Sequence, residues 1–185
     1  MHINTLTTII DNKITCVLFA DDGKLYTVIK CHSDLNNLQN SLDRILDWSN
    51  EHQLPISARK CSCIVLGNIS VDNVQYSIGK QPVNIVSEVR DLGVIVDPAL
   101  KFNSHINYIV ANANTRASLI HKCLLSHNPQ VILRAFKVYV RPLLEYATSV
   151  WSPYFNYAID KIESVQSERM SMSGITNLPV WILNH

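Results

Sequence analysis

The sequence predicts an α+β protein with short strands in its first half and helices in its second, and three observations carry that expectation. Apolar arms flank an Asp-Asp-Gly turn within residues 14–29, as in a β-hairpin. From about residue 104 onward, apolar residues recur at helical spacing. Asn128, Pro129, Pro142 and Pro153 fall where helices start, bend or stop. At 185 residues and 47% hydrophobic, the chain can bury the core of one large domain or two small ones.

Taken in order, the hairpin arms are 14–19 and 24–29, with Asp21 and Asp22 at the tip. A helix capped at Ser33 follows, with Leu35, Leu38, Leu42, Ile45 and Leu46 on one stripe that should pack on a sheet face. Pro55 stops that helix, and 60–66 is strand-like in composition. Further strands are expected at 74–78 and 83–86, joined through Gly79 and Lys80, and at 92–96. A helix over 104–125 carries Ile106, Ile109, Val110, Ala113, Ala117, Ile120 and Leu124 inward. His105, Arg116, His121 and Lys122 occupy its other faces. The next helix starts with Asn128 as cap and Pro129 in its first turn, and presents Val131, Ile132, Ala135, Phe136 and Tyr139. Pro142 should kink or end it, helical spacing resumes over 143–151, and a last helix spans 154–169. These stripes are packing residues, so function belongs on the opposite faces.

Net charge is only +1, but the charges segregate. Through residue 102 there are 9 Lys/Arg against 11 Asp/Glu, and from 103 onward 7 against 4. No acid lies between Asp97 and Glu145, while Lys101, Arg116, Lys122, Arg134, Lys137 and Arg141 do. Such a stretch can neutralise nucleic-acid phosphates, with salt-dependent binding as the consequence. Chance segregation is the bland alternative.

Cys16, Cys31, Cys61, Cys63 and Cys123 are odd in number and scattered, which argues for reduced thiols rather than a disulfide or zinc framework. Cys61 and Cys63 alternate along a strand, so both should serve one face as small apolar residues. The seven histidines lack ligand spacing, and no apolar run approaches the roughly 18 residues of a membrane span. The expected product is intracellular, in nucleus or cytoplasm, and no membrane partner is expected.

Two neighbouring carboxylates on a rigid turn repel each other unless a cation sits between them. Oxygen ligands in that position suit Mg²⁺ in nucleotidyl transfer, although a solvated Asp-Gly turn is the plainer reading of the tetrad by itself. An ordered series of segments favours the first. Phe19, Ala20, Asp21 and Asp22 are followed by Leu38, Gln39, Leu42 and Trp48, then by Leu54, Pro55, Ile56, Lys60 and Cys61. Asp91, Leu92, Gly93, Val94 and Asp97 come next, with Leu100, Phe102, His105 and Ile106. Tyr139 to Tyr146, then Val150, Trp151, Ser152 and Pro153, and finally 162–166 complete the set. Over about residues 14 to 170 the chain resembles the reverse transcriptase of non-LTR, LINE-type retrotransposons.

That resemblance implies a partial antiparallel polymerase palm sheet with one packed helix over 1–102, a thumb-like helical region over 103–170 and an irregular tail over 171–185. It implies that Asp21 ligates the metals with Asp22 supporting the local field, and that Phe19 and Ala20 lie near primer terminus and nucleotide. Lys60 matches the palm lysine near the leaving pyrophosphate, with a solvated strand-edge lysine as its bland alternative. Leu92 and Gly93 belong to the strand pair supporting the primer, although a bulge also explains Gly93. Gly23 departs from the Thr or Ser expected after the acids. Arg116, Lys122, Arg134, Lys137 and Arg141 are the expected contacts to an RNA template and DNA primer duplex. Arg141 can equally pair with Glu145 one turn on.

The family's other metal-binding Asp lies on an earlier strand, and Asp11 is the only acid before Asp21. Two-metal chemistry needs carboxylates from more than one strand to bracket ions about 3.5 to 4 Å apart. The expectation is therefore a polymerase part that is inactive alone, with Mg²⁺ held only when the missing palm half is supplied. An unpaired sheet edge should then favour a partner strand or self-association. A non-catalytic nucleic-acid-binding remnant and an inert relic are the alternative functions.

Overall fold

Strand β1 (Thr15–Phe19) pairs antiparallel with β2 (Asp22–Tyr26), with Phe19 opposite Asp22 and the two residues Ala20 and Asp21 forming the connection. In this computed structural model, residues 6, 9–67, 75–124 and 128–171 are described. The contacts divide the chain into one unit up to Ser87 and another from Glu88. Pleating sends Cys16, Leu18 and Leu25 to one face, where they pack with Leu6, Ile10, Ile14, Ile45 and Trp48. Val17, Phe19 and Tyr26 are left exposed.

Helix α1 (His32–Glu51) starts two residues earlier than its Ser33 suggested, with Cys31 as the cap residue. Asp34 decides this, because its Oδ2 accepts the backbone N–H groups of Lys30 at 2.9 Å and Cys31 at 3.1 Å. The Lys30 bond foremost, then those from Cys31, holds the Asp34 carboxyl below its ordinary range. The apolar stripe serves two clusters: Ile45 and Trp48 face the hairpin cluster, Leu35, Leu42 and Leu46 face Tyr76, Ile78 and Val83, and Leu38 touches both.

The remaining strands of this unit are shorter than their sequence promised. Strand β3 (Ser62–Cys63) pairs in parallel with β6 (Asn84–Ile85), whereas β4 (Ser77–Ile78) and β5 (Gln81–Pro82) pair antiparallel around Gly79 at φ +60°. The expected strand over 74–78 is described only from residue 75. Among the described residues the strands make four two-stranded ladders, three antiparallel and one parallel, in place of one continuous sheet. Interruption is the physical reason: Gly79 turns the chain, and Pro82 has no N–H for a ladder. Gln39 of α1 takes part of the vacant role. Its Nε2 donates to the Ser77 carbonyl and its Oε1 accepts the Ser77 N–H, both at 3.0 Å. Cys61 and Cys63 do pack against the same cluster, and burial pushes both thiols up.

The second unit begins with β7 (Val89–Asp91) and β8 (Val94–Val96), an antiparallel pair whose Val94 and Val96 join the helical core. The contact boundary thus falls just ahead of this pair. Helix α2 (Asn103–Cys123) buries Ile106, Ile109, Ala113 and Ala117, as its spacing requires. Helix α3 (Pro129–Tyr139) is capped by Asn128, whose side chain accepts the Gln130 N–H at 2.9 Å. Pro142 lies in the first turn of α4 (Arg141–Glu145), a short helix with Leu144 buried. Helical spacing over 143–151 does not produce one helix, because Ala147 at φ +54° separates α4 from α5 (Thr148–Trp151). Trp151 secures the break by donating its indole Nε1–H to the Tyr146 carbonyl at 2.7 Å. Helix α6 (Asn156–Ser171) then places Ala158, Ile162 and Val165 on the core, and the tail beyond 171 lies outside the described residues.

Candidate functional site

At the tip of the first hairpin, Phe19, Ala20, Asp21 and Asp22 are all exposed. Asp21 sits in the turn and Asp22 opens β2, so the backbone carries the two carboxylates on a two-residue connection. Ala20 has φ +53°, a left-handed conformation in a turn type that usually takes Gly first. Backbone of this kind costs an L-residue about 1 kcal/mol or more. Ala20→Gly is accordingly expected to stabilise the hairpin unit by about 1 kcal/mol in urea unfolding. A lower urea midpoint than wild type would refute the strain.

Lys60 is exposed at the end of a 3₁₀ turn (Ala58–Lys60), one residue removed from β3, instead of on the strand that 60–66 promised. Carboxylate oxygens are suitable Mg²⁺ donors, but no group of three or more His, Cys, Asp or Glu that could hold a metal occurs among the described residues.

In the second unit, Leu92 at φ +43° and Gly93 at φ +91° form the turn between β7 and β8, and this turn replaces the bulge considered for Gly93. A Cβ on Gly93 would lie 3.3 Å from Cε1 of Tyr146, whose hydroxyl donates to the Leu92 carbonyl at 2.9 Å. The close approach that glycine permits here is therefore to an aromatic ring. Asp97 knots the next loop. Its Oδ1 accepts from the amides of Ala99 at 2.9 Å and Lys101 at 3.2 Å, and its Oδ2 from that of Phe102 at 2.7 Å. A carboxylate beside the first turn of α2 also complements the helix dipole.

His105, placed on a polar face by spacing, is instead 2% exposed. Its Nδ1 accepts the Ile95 N–H at 3.3 Å and its ring meets Trp151 edge-on, 5.1 Å between centroids. That arrangement leaves the proton on Nε2, which has no hydrogen-bond partner. Burial, and secondarily the charge of Arg90, lowers the His105 pKa. Helical periodicity could not reveal this, because the cover comes from β8 and from Trp151, which is distant in sequence. The ordered spacing from Asp97 to His105 was the available signal.

The expected basic contacts divide. Arg141 pairs with Glu145 at 2.5 Å within α4, and Arg116 of α2 donates to the Tyr139 carbonyl at 3.3 Å. Lys122, Arg134 and Lys137 are exposed, the last two on the outward face of α3 opposite Phe136. Arg90 and Tyr108, unmarked by sequence reasoning, also meet here, with the guanidinium carbon 5.1 Å from the ring centroid.

Sequence comparison relates a chain with this acid-tipped hairpin and basic helical unit to the RNA-directed DNA polymerases of retrotransposons. The RNA-directed DNA polymerase from mobile element jockey of Drosophila funebris is 26% identical over 171 residues, which is 90% of this chain and 19% of that polymerase. An uncharacterized protein of Caenorhabditis elegans is 32% identical over 79 residues, 43% of this chain and 40% of that protein. The chain thus spans well under half the length of either relative. No protein-family profile and no solved structure matches it. No helix among the described residues is long and apolar enough to cross a membrane.

Proposed function

We propose that this chain is the part of a non-LTR retrotransposon reverse transcriptase that runs from the acid hairpin of the palm through the thumb. The observation that carries the reading is the likeness to the jockey polymerase over 90% of the chain. It is supported by the hairpin, which holds Asp21 and Asp22 at an exposed tip. In this reading residues 1–102 belong to the palm, and 103–170 form the thumb. Asp21 would then be an oxygen ligand for Mg²⁺, with Asp22 supporting the local field, and the ion would supply charge neutralisation at the transferred phosphoryl group. Phe19 and Ala20 lie beside the primer terminus, and Lys60 offers a countercharge to the departing pyrophosphate. Leu92 and Gly93 support the primer strand.

Two-metal transfer needs carboxylates from more than one strand, and in this reading the chain by itself should not extend a primer. Primer extension on an RNA template with Mg²⁺ is expected to give no product above the level of Asp21→Asn. Binding to the hybrid duplex does not need the metals. It rests on Arg116, Lys122, Arg134, Lys137 and Arg141, which position phosphates without reading sequence. A gel shift with an RNA–DNA hybrid should weaken steeply as salt rises, and Arg134→Glu with Lys137→Glu should weaken it about tenfold or more. Binding indifferent to both salt and these changes would refute the thumb assignment.

A further inference from the structure

Tyr108, Asn112 and Arg116 are spaced i, i+4, i+8 along α2 and form one ridge of that helix. All three flank the buried stripe of Ile109, Ala113 and Ala117. Strand β7 brings Arg90 to the same ridge, where its guanidinium carbon lies 5.1 Å from the Tyr108 ring centroid. Arg90 and Arg116 are exposed, as is Tyr108 at 41%. Hydrogen bonds from Arg90 and Asn112, and the positive charge of both arginines, hold the Tyr108 phenol below its ordinary range. Two acids flank Arg90 in sequence: Glu88 accepts from the hydroxyl of Ser104, and Asp91 is the next residue of β7. Arg116 has its Nη1 on the Tyr139 carbonyl, which leaves further donors of the same fork.

We infer that Arg90, over the Tyr108 ring, and Arg116, two turns further along the same ridge of α2, form a binding site for a phosphate group. Guanidinium forks match phosphate oxygens in geometry as well as charge, and the Tyr108 and Asn112 side chains add hydrogen-bonding groups between them. Tyr108 and Asn112 act as positioning residues that keep the two arginines from folding away. The two arginines come from different elements, a strand and a helix, so the site exists only once β7 has docked on α2. Where the phosphate belongs to a nucleic-acid backbone, the inference rests on the function proposed above; a free phosphate group uses the same chemistry without it.

Two measurements on the full chain separate these cases. Titration with inorganic phosphate, followed through the arginine Nε–Hε resonances, should move Arg90 and Arg116 along one saturating curve while Arg134 stays still. Arg116→Gln should flatten the response of Arg90. Parallel drift of all arginines, or Arg90 responding unchanged in the Arg116→Gln protein, would overturn the site. Hybrid-duplex affinity against salt then identifies the source. For a backbone phosphate, Arg90→Gln and Arg116→Gln should each lower the slope of log affinity against log salt by up to about 0.9, with circular dichroism unchanged. An unchanged slope with intact phosphate titration assigns the site to a free phosphate group and leaves the thumb reading standing. Absence of any duplex binding with intact titration keeps the site and sinks that reading.

Discussion

Trp151→Ala is expected to destabilise the helical unit by about 4 kcal/mol, the largest effect of any single truncation among the described residues. The side chain is 1% exposed, the largest fully buried one among the described residues, and sits in the cluster shared by Val94, Ile106, Phe136, Val140, Leu144 and Ile162. Its removal opens a cavity, strips the Tyr146 carbonyl of its indole donor and uncovers the edge of His105. Trp151→Phe restores most of the volume but not the donor. Its cost should therefore fall to about 1–2 kcal/mol, the range for a lost hydrogen bond with modest repacking. Urea unfolding followed by far-ultraviolet circular dichroism is the measurement, because both substitutions remove the indole of Trp151 from the fluorescence signal. Equal losses for the two variants would show that the hydrogen bond, not the packing, dominates.

Asp97→Ala should cost about 3 kcal/mol. The carboxylate accepts three backbone amides, and hydrogen bonds to a charged group contribute about 1.5–3 kcal/mol each before solvent exposure discounts them. The loop also holds Leu100 at φ +53° and Phe102 at φ +55°, conformations that side chains resist and that Asp97 keeps in place. Without it, Phe102 no longer leads α2 at its present angle. Asp97→Asn keeps one acceptor oxygen but sets an amide donor against another, so its loss should be close to half that of alanine. Urea unfolding of the three proteins gives the order directly. A cost for alanine below 1 kcal/mol would mean that the loop holds itself.

Much of this was legible in the sequence where a local rule decides the outcome. The hairpin around Asp21, the stripe of α2 and the Asn128–Pro129 start of α3 follow from alternation, helical period and capping chemistry. The start of α1 at His32 lies two residues ahead of the one its sequence suggests because the cap is made by Asp34 reaching back, and Ser33 offers the more familiar signal. The break at Ala147 was invisible because its cause, the Trp151 indole on the Tyr146 carbonyl, is a tertiary arrangement with no period. For the same reason His105 looked polar-facing: a helical wheel contains α2 but not the strand and tryptophan that cover it. The site divides similarly. Exposed acids and cations could be named from sequence, whereas the meeting of Arg90 with Tyr108 needed β7 to be placed on α2.

Gln39 carries a constraint on how this sequence can drift. By engaging both the N–H and the carbonyl of Ser77, one amide side chain imitates a missing neighbouring strand. Glutamate has the length but no donor, and would set a negative charge against a carbonyl; asparagine has both groups but is a methylene short. Substitution there is narrowed to a single amino acid by stereochemistry alone, in a helix whose other solvent-side positions are open to many.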